Sequence, residues 1–477
     1  MNELPHVAID VPSELSPIEA LGVFASEPNS FILSSGLNTG SGWQYSFAGT
    51  RPFLVFRSKG KETEVTTDSL KKKIVGNPFD ILKEILAKYK DASASPFPLF
   101  PGVAVGYFGY GLSSHIEELP ITAVDDLALP DCYLCFYDTI ITFDQLNRKI
   151  QLYSSRLSGG ETISSEEVGE KLHQAKIRER NIHTFSKKES PSIISNFQKE
   201  DYLQAIVRAK DYIDRSDIYQ INLSQRLMMK AGIPPFELYR RLCILNPSPF
   251  ASFLNFEGIS VVGSSPERFL RLRNREVETS PMKGTRPRGE SAREDKKLEK
   301  ELLSSEKEKA ELIMIVDLER NDLGRVCEYG SVRVKESRNI EKYATVFQTT
   351  ATIIGTLRED KDAIDLLRAS FPGGSVTGVP KVRAMELIDE LEPTQRSVYT
   401  GAIGYISFTG EIDLNIAIRT FLIKNERAYF QVGGGIVADS EPEAEYEETL
   451  TKARALIQVL TEVTEAQRHK GTKKPKL

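Results

Sequence analysis

Strand-like and helix-like segments are mixed along this chain without strict alternation, and this pattern constrains the fold more than any other feature. Runs of β-branched and aromatic residues over 53–56, 102–108 and 133–143 predict strands. Apolar residues spaced three to four apart over 202–213 predict a helix. A doubly wound parallel sheet needs strands and helices that alternate regularly, so we predict an α+β fold instead.

Changes in amino-acid composition and predicted secondary structure divide the 477-residue sequence into three parts. Residues 1–185 are strand-rich, and a Ser-, Lys- and Pro-rich stretch over 184–195 marks the main boundary. We predict a second domain over 190–463, which carries the candidate chemistry. The tail over 464–477 is basic and is predicted to be disordered.

Local signals predict individual elements within these parts. Turn residues over 144–148 predict a hairpin after the strand at 133–143. Ser164 and Glu167 have the spacing of a capping box that opens a polar helix reaching about residue 180. Long helices are predicted over 294–318 and 443–460.

The composition excludes several classes of function. Lys plus Arg number 62 and Asp plus Glu number 67, so the net charge of −5 argues against a general nucleic-acid-binding protein. The longest uncharged run, 92–116, contains three prolines, which excludes a membrane helix. No signal peptide is visible, and four cysteines fit a reducing compartment. We predict a cytoplasmic protein that has no nucleic-acid or membrane partner.

The positions of the histidines restrict the available chemistry. None of the five histidines lies between Thr184 and Arg468. Chemistry in that stretch must therefore use carboxylates, lysine, arginine and backbone amides. Zinc sites that need histidine and Ser-His or Cys-His nucleophile systems are excluded there.

Two glutamate pairs stand three residues apart on predicted helices, Glu308 with Glu311 and Glu445 with Glu448. Residues at this spacing share a helix face, so two facing helices would present four carboxylates, an oxygen-only site suited to Mg²⁺. The alternative interpretation is an ordinary solvated helix face. Glu311 directly precedes the apolar run 312–316, which favours a position at the edge of a core.

Two glycine clusters are candidates for anion binding. Gly433, Gly434 and Gly435 follow a predicted strand at 429–432, and Gly373-Gly374 precedes a Ser-Val-Thr-Gly run. Successive exposed backbone N–H groups bind anions, although tight turns are the alternative interpretation. A nucleotide phosphate loop is excluded, because Val-Pro-Lys follows Gly378 in place of Gly-Lys-Ser/Thr.

A lysine and a glutamate could form an acid and nucleophile pair. Glu267 lies in Ser265-Pro-Glu-Arg-Phe269 and Lys283 in a Pro/Gly-rich run that begins at Ser280, and a hairpin between the two runs would bring them together. A lysine in a partly apolar pocket can lose its proton and act as a nucleophile, while a carboxyl serves as general acid. A surface lysine on a loop is the alternative.

Taken together, these segments resemble the chorismate-utilising enzyme family, which includes anthranilate synthase component I and aminodeoxychorismate synthase component I. The resemblance is strong from about residue 195 to 460 and looser in the N-terminal part, at 31–35 and 45–49. The matching motifs lie at 217–226, 265–269, 281–286, 310–318, 320–325, 374–385 and 448–454.

The resemblance implies a large sandwich of two β-sheets flanked by helices, as in anthranilate synthase component I. It also implies Mg²⁺ bound by Glu311 and Glu448, with Glu308 and Glu445 assisting through water, so that the metal holds the ring carboxylate of chorismate. Such a dianionic substrate suits a cation, Arg, Lys and backbone amides. The residues implied to hold the ring and its two carboxylates are Ser375, Tyr399, Arg419, Lys452 and the amides of Gly433, Gly434 and Gly435.

Two positions distinguish members of the family. The water-adding isochorismate and salicylate synthases carry a lysine base where this chain has Gln220, which argues against them. Anthranilate synthases usually have alanine where this chain has Lys283, and a lysine there resembles aminodeoxychorismate synthase. The resemblance then implies that Lys283 attacks carbon 2 of chorismate while Glu267 protonates the departing carbon 4 hydroxyl. Ammonia next enters at carbon 4 and displaces the lysine.

We therefore predict the synthase subunit of an aminodeoxychorismate synthase, which makes 4-amino-4-deoxychorismate for 4-aminobenzoate and folate synthesis. No cysteine stands in the Gly-x-Cys-x-Gly frame of glutaminases, so a separate glutamine amidotransferase is predicted to supply ammonia, with 1–185 on the partner or regulatory side. Family members commonly have a histidine near Gln348, linked in anthranilate synthases to pyruvate elimination, and this chain lacks it. The tryptophan-feedback motif is incomplete at 32–35. The alternatives are anthranilate synthase component I and a non-catalytic chorismate-binding subunit.

Overall fold

The computed structural model describes residues 6–10, 15–34, 45–90, 102–155, 163–178, 192–343 and 346–461. The first half contains the strands β1 (His6–Asp10), β2 (Ser30–Ser34), β3 (Tyr45–Gly49), β4 (Leu54–Lys59), β5 (Glu62–Thr67), β6 (Lys71–Val75), β7 (Val103–Phe108), β8 (Cys132–Tyr137), β9 (Thr139–Asp144) and β10 (Lys149–Ser154). Its helices are α1 (Pro17–Gly22), α2 (Pro78–Tyr89) and α3 (Ser165–Arg178).

The second half contains the strands β11 (Ile194–Ser195), β12 (Gln220–Lys230), β13 (Phe250–Phe256), β14 (Ile259–Ser265), β15 (Arg268–Arg273), β16 (Glu276–Ser280), β17 (Met282–Pro287), β18 (Arg333–Lys342), β19 (Val346–Thr356), β20 (Gly378–Val379), β21 (Ala402–Ser407), β22 (Ile412–Ile416), β23 (Thr420–Lys424) and β24 (Arg427–Ile436). Its helices are α4 (Lys199–Asp214), α5 (Pro235–Leu245), α6 (Ala292–Ser304), α7 (Glu306–Gly324), α8 (Ala363–Ser370), α9 (Lys381–Leu391) and α10 (Pro442–Thr461). Short 3₁₀ turns lie at Tyr110–His115 and Gly374–Val376.

The strands form two antiparallel sheets. Sheet 1 has the order β1-β10-β9-β3-β2-β13-β14-β23-β24-β12-β11, with β20 also pairing β12. Sheet 2 has the order β17-β19-β16-β15-β22-β21-β7-β8-β4-β5-β6, with β18 also pairing β19. Helices flank both sheets, so the predicted α+β sandwich of two sheets is confirmed.

Apolar and aromatic side chains fill the space between the sheets. Phe31 and Leu254 of sheet 1 belong to the same buried cluster as Val105 and Ile403 of sheet 2. Tyr133 of β8 stacks on Phe256 of β13, with ring centroids 4.1 Å apart. The outer face of sheet 1 packs on α1, α3, α5 and α10, and that of sheet 2 on α2, α7 and α8. Burial of this apolar surface is the main stabilising term of such a sandwich.

Both sheets take strands from each side of the predicted domain boundary. In sheet 1, β2 pairs with β13, and in sheet 2, β7 pairs with β21. The division into 1–185 and 190–463 thus stays a prediction from the sequence. In both sheets, hydrogen bonds join strands of the first part to strands of the second. The tail predicted to be disordered, 464–477, and most of the boundary stretch 184–195 lie outside the described residues.

Three local predictions are confirmed. The hairpin forms between β9 and β10, where Asp144 pairs with Lys149. The polar helix predicted to follow Ser164 is α3, and at its start the Ser164 hydroxyl accepts a hydrogen bond from the Glu167 amide at 3.2 Å. This is one half of the predicted capping box, since the Glu167 carboxylate accepts from Arg51 instead. The helix predicted over 443–460 is α10. In addition, none of the helices in the described ranges is long and apolar enough to cross a membrane.

Two local predictions are wrong. The run 133–143 is not one strand, because it passes from β8 in sheet 2 to β9 in sheet 1 at Asp138. Both strands are buried on both faces, so their pattern contains no alternation that could mark the change. The helix over 294–318 is also two helices, because Ser305 ends α6 and its hydroxyl caps α7 by accepting from the Glu308 amide at 3.3 Å.

Candidate active site

Eight parts of the second half carry the predicted site residues. Strand β24 supplies the three glycines, β17 supplies Lys283, and the connection between β14 and β15 supplies Glu267. Helices α7 and α10 supply the two glutamate pairs, and Lys452 is also on α10. Ser375, Tyr399 and Arg419 lie in a 3₁₀ turn and two loops.

The glycine run lies inside strand β24 rather than after it, which corrects the sequence prediction. Gly433, Gly434 and Gly435 pair with residues 222–224 of β12. A β-carbon on Gly434 would lie 3.2 Å from Glu445 Oε2, and one on Gly435 would lie 3.5 Å from Lys283 Nζ. A β-carbon on Gly433 would lie 3.0 Å from Tyr399 Oη. The missing side chains therefore let three functional groups approach one stretch of backbone.

A glycine next to Lys283 also permits close packing. Gly284 has a φ of +74°, and a β-carbon there would lie 2.7 Å from Glu308 Oε2 of α7. A side chain would both strain this left-handed conformation and push α7 away from β17. The Thr349 hydroxyl of β19 donates a hydrogen bond to the Lys283 carbonyl, which fixes the strand on its other edge.

Lys283 is half-buried among charged groups, and no described residue forms a hydrogen bond or ion pair with its Nζ atom. Burial lowers the pKa of Lys283, and the nearby Lys452 ammonium lowers it further. The carboxylates of Glu311 and Glu267 raise the pKa but do not reverse the shift. Lys283 therefore gives up its proton more readily than an ordinary lysine does, which favours a nucleophilic amine.

Glu267 is buried, with 4% of its surface exposed. Burial raises the pKa of Glu267 to about 7, although the nearby Ser375 hydroxyl and the Met282 amide lower it. The Met282 amide donates to Glu267 Oε1 at 3.3 Å. Since Met282 directly precedes Lys283, this bond links the acid to the strand that carries the amine. A carboxyl with this pKa can hold a proton near neutral pH and donate it.

The four glutamates of α7 and α10 form one electrostatic group. Burial raises the pKa of Glu311, as do the carboxyls of Glu308 and Glu445. Burial and the neighbouring Glu448 raise the pKa of Glu445, against a hydrogen bond from Ser440 at 2.7 Å. The carboxylates of the two helices therefore lie close enough to repel one another. A bound cation would reduce this repulsion.

Lysine and arginine side chains neutralise part of this group. Lys452 Nζ lies 2.7 Å from Glu448 and donates to the Gly433 carbonyl at 2.9 Å. Burial opposes ionisation of Glu448, but Lys452 outweighs it and lowers the pKa of Glu448. Arg286 lies 3.2 Å from Glu308.

Over the described part of the chain, no three acidic, histidine or cysteine side chains are close enough to form a ready metal cluster. The donors are all oxygen atoms, as Mg²⁺ requires, so their chemistry fits this ion.

The other predicted substrate residues are buried or partly buried. Arg419 has a φ of +49°, and its Nη1 atom donates to Asn246 Oδ1 at 3.4 Å. Burial lowers the pKa of Arg419 from its ordinary value, and burial raises that of Tyr399 to about 12. The Ser375 hydroxyl is buried without a hydrogen bond of normal geometry to the described residues. Such groups are prepared to bind an anion or a hydroxyl from a ligand.

A buried ion pair that the sequence analysis missed supports these residues. Arg396 and Glu392, each with 1% of the side chain exposed, lie 2.6 Å apart. Arg396 also donates to the Val376 carbonyl at 2.9 Å and to the Asn222 carbonyl at 2.6 Å. The pair thus ties the turn that holds Ser375 to strand β12. Its only signal in the sequence is a Glu-Arg spacing of four, which is common on solvated surfaces.

Glu319 was also missed, although the sequence contained a signal for it. It lies four residues after Ile315 and four before Leu323, both buried, so it is on the apolar stripe of α7. Charged residues next to it in the sequence, such as Arg320, obscure this stripe. In the structure, 7% of its surface is exposed.

The fold and the site define the class of this protein. The family described as "chorismate binding enzyme" matches residues 36–458. The chain therefore belongs to this family and is a chorismate-utilising enzyme.

Individual relatives share one name. The chain is 42% identical over 463 residues to anthranilate synthase component 1 of Acetivibrio thermocellus, with 94% of each sequence covered. It is 39% identical over 443 residues to the protein of that name from Cereibacter sphaeroides, with 90% of this chain and 88% of the relative covered. The crystal structure of anthranilate synthase component I from Streptococcus pneumoniae TIGR4 aligns with a TM-score of 0.76 and 34% identity, covering 87% of this chain and 92% of that one.

Proposed function

We propose that this chain is the synthase subunit of an aminodeoxychorismate synthase, which aminates chorismate at carbon 4 with ammonia. The observation that carries the proposal is the placement of Lys283. Its Nζ atom is next to Gly435 and within electrostatic reach of Glu267 and Glu311. An amine whose pKa is lowered by burial, beside a carboxyl with a pKa of about 7, is suited to nucleophilic attack with acid assistance.

In the proposed reaction, the neutral Lys283 amine forms a bond to carbon 2 of chorismate. Glu267 gives its proton to the carbon 4 hydroxyl, which departs as water while the ring double bonds shift. Ammonia then bonds to carbon 4, and the carbon 2 bond to Lys283 breaks, which restores the amine. The product is 4-amino-4-deoxychorismate, a precursor of 4-aminobenzoate and folate.

Binding of the substrate uses charge complementarity. Arg419, Lys452, Tyr399, Ser375 and the amides of Gly433, Gly434 and Gly435 would hold the ring and its two carboxylates. Glu311 and Glu448 would hold Mg²⁺, with Glu308 and Glu445 assisting through water. When bound, this ion neutralises the negative charge of a substrate carboxylate.

A second candidate is anthranilate synthase component I, which aminates carbon 2 and then eliminates pyruvate. The names of the relatives favour this candidate over the first. The chain's own residues favour the first, because Lys283 replaces the usual alanine and the histidine linked to pyruvate elimination is absent near Gln348. The two candidates differ in the product, so a product assay separates them.

Ammonia is proposed to come from a separate glutamine amidotransferase subunit. A glutaminase needs a cysteine thiolate, and all four cysteines of this chain are free and buried. Burial raises the pKa of Cys135 and that of Cys243 to about 12, which opposes formation of a thiolate. Four free thiols also support the proposed cytoplasmic location.

The test is to incubate the purified chain with chorismate, Mg²⁺ and ammonium salt and to identify the product by mass spectrometry. Aminodeoxychorismate supports the proposal, anthranilate supports the second candidate, and no product contradicts both. Lys283→Ala is expected to abolish turnover. Lys309→Ala, which removes an exposed lysine of α7, serves as the matched control. Turnover with glutamine in place of ammonium would contradict the need for a partner.

A further inference from the structure

Asn222 of β12 carries a buried side-chain donor that is paired with no described residue. The residue has 8% of its surface exposed. Its Nδ2 atom is shielded from solvent and has no hydrogen bond of normal geometry to the described part of the chain. Leaving a buried amide nitrogen without an acceptor costs free energy, so an acceptor on a bound ligand is the expected partner.

The backbone of Asn222 is held on the side away from β24. Its N–H donates to the Thr377 carbonyl at 2.7 Å, and its carbonyl accepts from Arg396 at 2.6 Å. In the antiparallel ladder, Asn222 stands opposite Gly435. Opposed residues that do not exchange hydrogen bonds have the closest α-carbons, about 4.5 Å apart. The Asn222 side chain is therefore fixed next to the place where Gly435 lacks one.

Side chains of β12 alternate between two environments. Ile221 and Leu223 belong to the buried cluster that also contains residues of α4 and α9. Successive side chains of a strand point to opposite faces, so Gln220, Asn222 and Ser224 lie together on the other face. Asn222 stands midway between the other two, about 7 Å from each along the strand.

The Gln220 end of this face meets the proposed nucleophile. A β-carbon on Gly435 would lie 2.8 Å from Gln220 Nε2 and 3.5 Å from Lys283 Nζ, so both nitrogen atoms border one point on β24. In the proposed reaction, Lys283 attacks carbon 2 of chorismate, which therefore lies at this end. The ring carboxylate on the adjacent carbon 1 then points toward Glu311, whose charge acts on Lys283.

The Ser224 end of the same face meets a phenol. A β-carbon on Gly433 would lie 2.8 Å from Ser224 Cβ and 3.0 Å from Tyr399 Oη. Burial raises the pKa of Tyr399 to about 12, whereas the Asn222 side chain acts in the opposite direction, as a neighbouring donor does. The Asn222 amide thus lies between the Lys283 amine and the Tyr399 phenol.

We propose that Asn222 is a further substrate-binding residue, which donates from Nδ2 to the enolpyruvyl group of chorismate. This inference rests on the proposed placement of carbon 2 at Lys283. The enolpyruvyl group is attached through an ether oxygen to carbon 3, next to carbon 2. With the ring carboxylate toward the metal-binding glutamates, the enolpyruvyl carboxylate extends toward Tyr399 and Arg419. Its oxygen atoms then pass over Asn222, and they accept hydrogen bonds, as an amide N–H donor requires.

The test measures chorismate binding by calorimetry with Mg²⁺ and without ammonia, so that no amination occurs. Asn222→Leu keeps a similar volume but removes the donor. The Kd for chorismate should rise about 10- to 100-fold, as expected for the loss of a hydrogen bond to a charged acceptor. The free energy of unfolding should be unchanged or higher, because the donor has no described protein partner to lose. A merely structural role would instead lower stability and affinity together.

A matched ligand and a matched variant sharpen the result. Benzoate offers a ring carboxylate without an enolpyruvyl group, so its Kd should be the same in Asn222→Leu and the wild type. Asn255→Leu removes an amide that donates to the Ala25 and Glu27 carbonyls at 3.1 Å. This variant should lose stability and keep the Kd for chorismate. An unchanged Kd for chorismate in Asn222→Leu, or an equal rise for both ligands, overturns the proposal.

The binding measurement also separates this inference from the proposed function. Binding does not depend on which carbon is aminated. A raised Kd in Asn222→Leu together with an anthranilate product would support the role of Asn222 and contradict the proposed reaction. An unchanged Kd together with an aminodeoxychorismate product would do the reverse.

Discussion

Arg396→Met is expected to destabilise the fold and weaken chorismate binding together. Arg396 makes two bonds to Glu392, at 2.9 and 2.6 Å, and donates to the carbonyls of Val376 and Asn222. Methionine fills a similar volume but provides no donor. The substitution therefore leaves Glu392 as a buried charge whose remaining partner is Ser224, through its amide at 2.9 Å and its hydroxyl at 2.7 Å.

The magnitude follows from these contacts. Removing one partner of a buried ion pair destabilises a protein by about 3–5 kcal/mol. Each buried carbonyl left without a donor adds about 1–3 kcal/mol. Because these effects overlap, we expect a total loss of about 4–6 kcal/mol. A typical domain is stable by about 5–15 kcal/mol, so the variant should be only marginally folded.

The assay is chemical denaturation followed by circular dichroism, with the KM for chorismate measured under native conditions. KM should rise, because the turn that carries Ser375 loses its tie to β12. Arg368→Met is the matched control, since the exposed Arg368 pairs with Asp80 at 2.6 Å and should contribute less than about 1 kcal/mol. Combining Arg396→Met with Glu392→Leu should restore part of the stability. A free energy of unfolding for Arg396→Met within about 1 kcal/mol of the wild type would refute this reasoning.

Substitutions within the site have their own expected outcomes. Lys452→Met should weaken chorismate binding by about 1.5–3 kcal/mol in calorimetry, because a charged donor is lost, and an unchanged Kd would contradict its placement in the substrate site. Gly433→Ala should lower the denaturation midpoint more than Gly434→Ala does, since its β-carbon would lie 2.6 Å from a backbone carbonyl rather than 3.2 Å from a side-chain oxygen. Equal midpoints would argue against this packing. Glu319 has a folded pKa of about 8, raised above the ordinary value of 4.5, so its presence destabilises the fold increasingly as pH rises between these values. Glu319→Gln should therefore gain stability over the wild type across this range, by up to about 1.4 kcal/mol per pH unit, and a constant difference would show that the carboxyl ionises normally.

Much of the site could be predicted because its residues follow helix spacing. Residues three apart on a helix lie on the same face. Glu308 and Glu311 therefore share a face of α7, and Glu445 and Glu448 share a face of α10. The adjacency of Glu267 and Lys283 also followed from a hairpin between two short motifs. In each case, local geometry alone brought the groups near one another.

The remaining features depend on tertiary contacts that no local pattern encodes. The chain passes from β8 in sheet 2 to β9 in sheet 1 at Asp138, and both strands are buried on both faces, so the apolar run contains no local sign of the change. The glycines of β24 belong to a strand because β12 pairs with them, although glycine normally disfavours strands. The role of Arg396 could not be predicted, because the carbonyls that it binds, those of Val376 and Asn222, lie 20 and 174 residues away in the sequence.

The sharing of both sheets between distant segments has a consequence for synthesis on the ribosome. Asn255 of β13 donates a hydrogen bond to the Ala25 carbonyl, 230 positions earlier in the chain. The N-terminal strands of both sheets thus emerge with open edges long before their partners are translated. Exposed edges of this kind pair readily with other chains, and pairing across long separations is slow. The nascent chain therefore needs protection from aggregation during translation, and a gene fragment ending near residue 185 should yield insoluble protein.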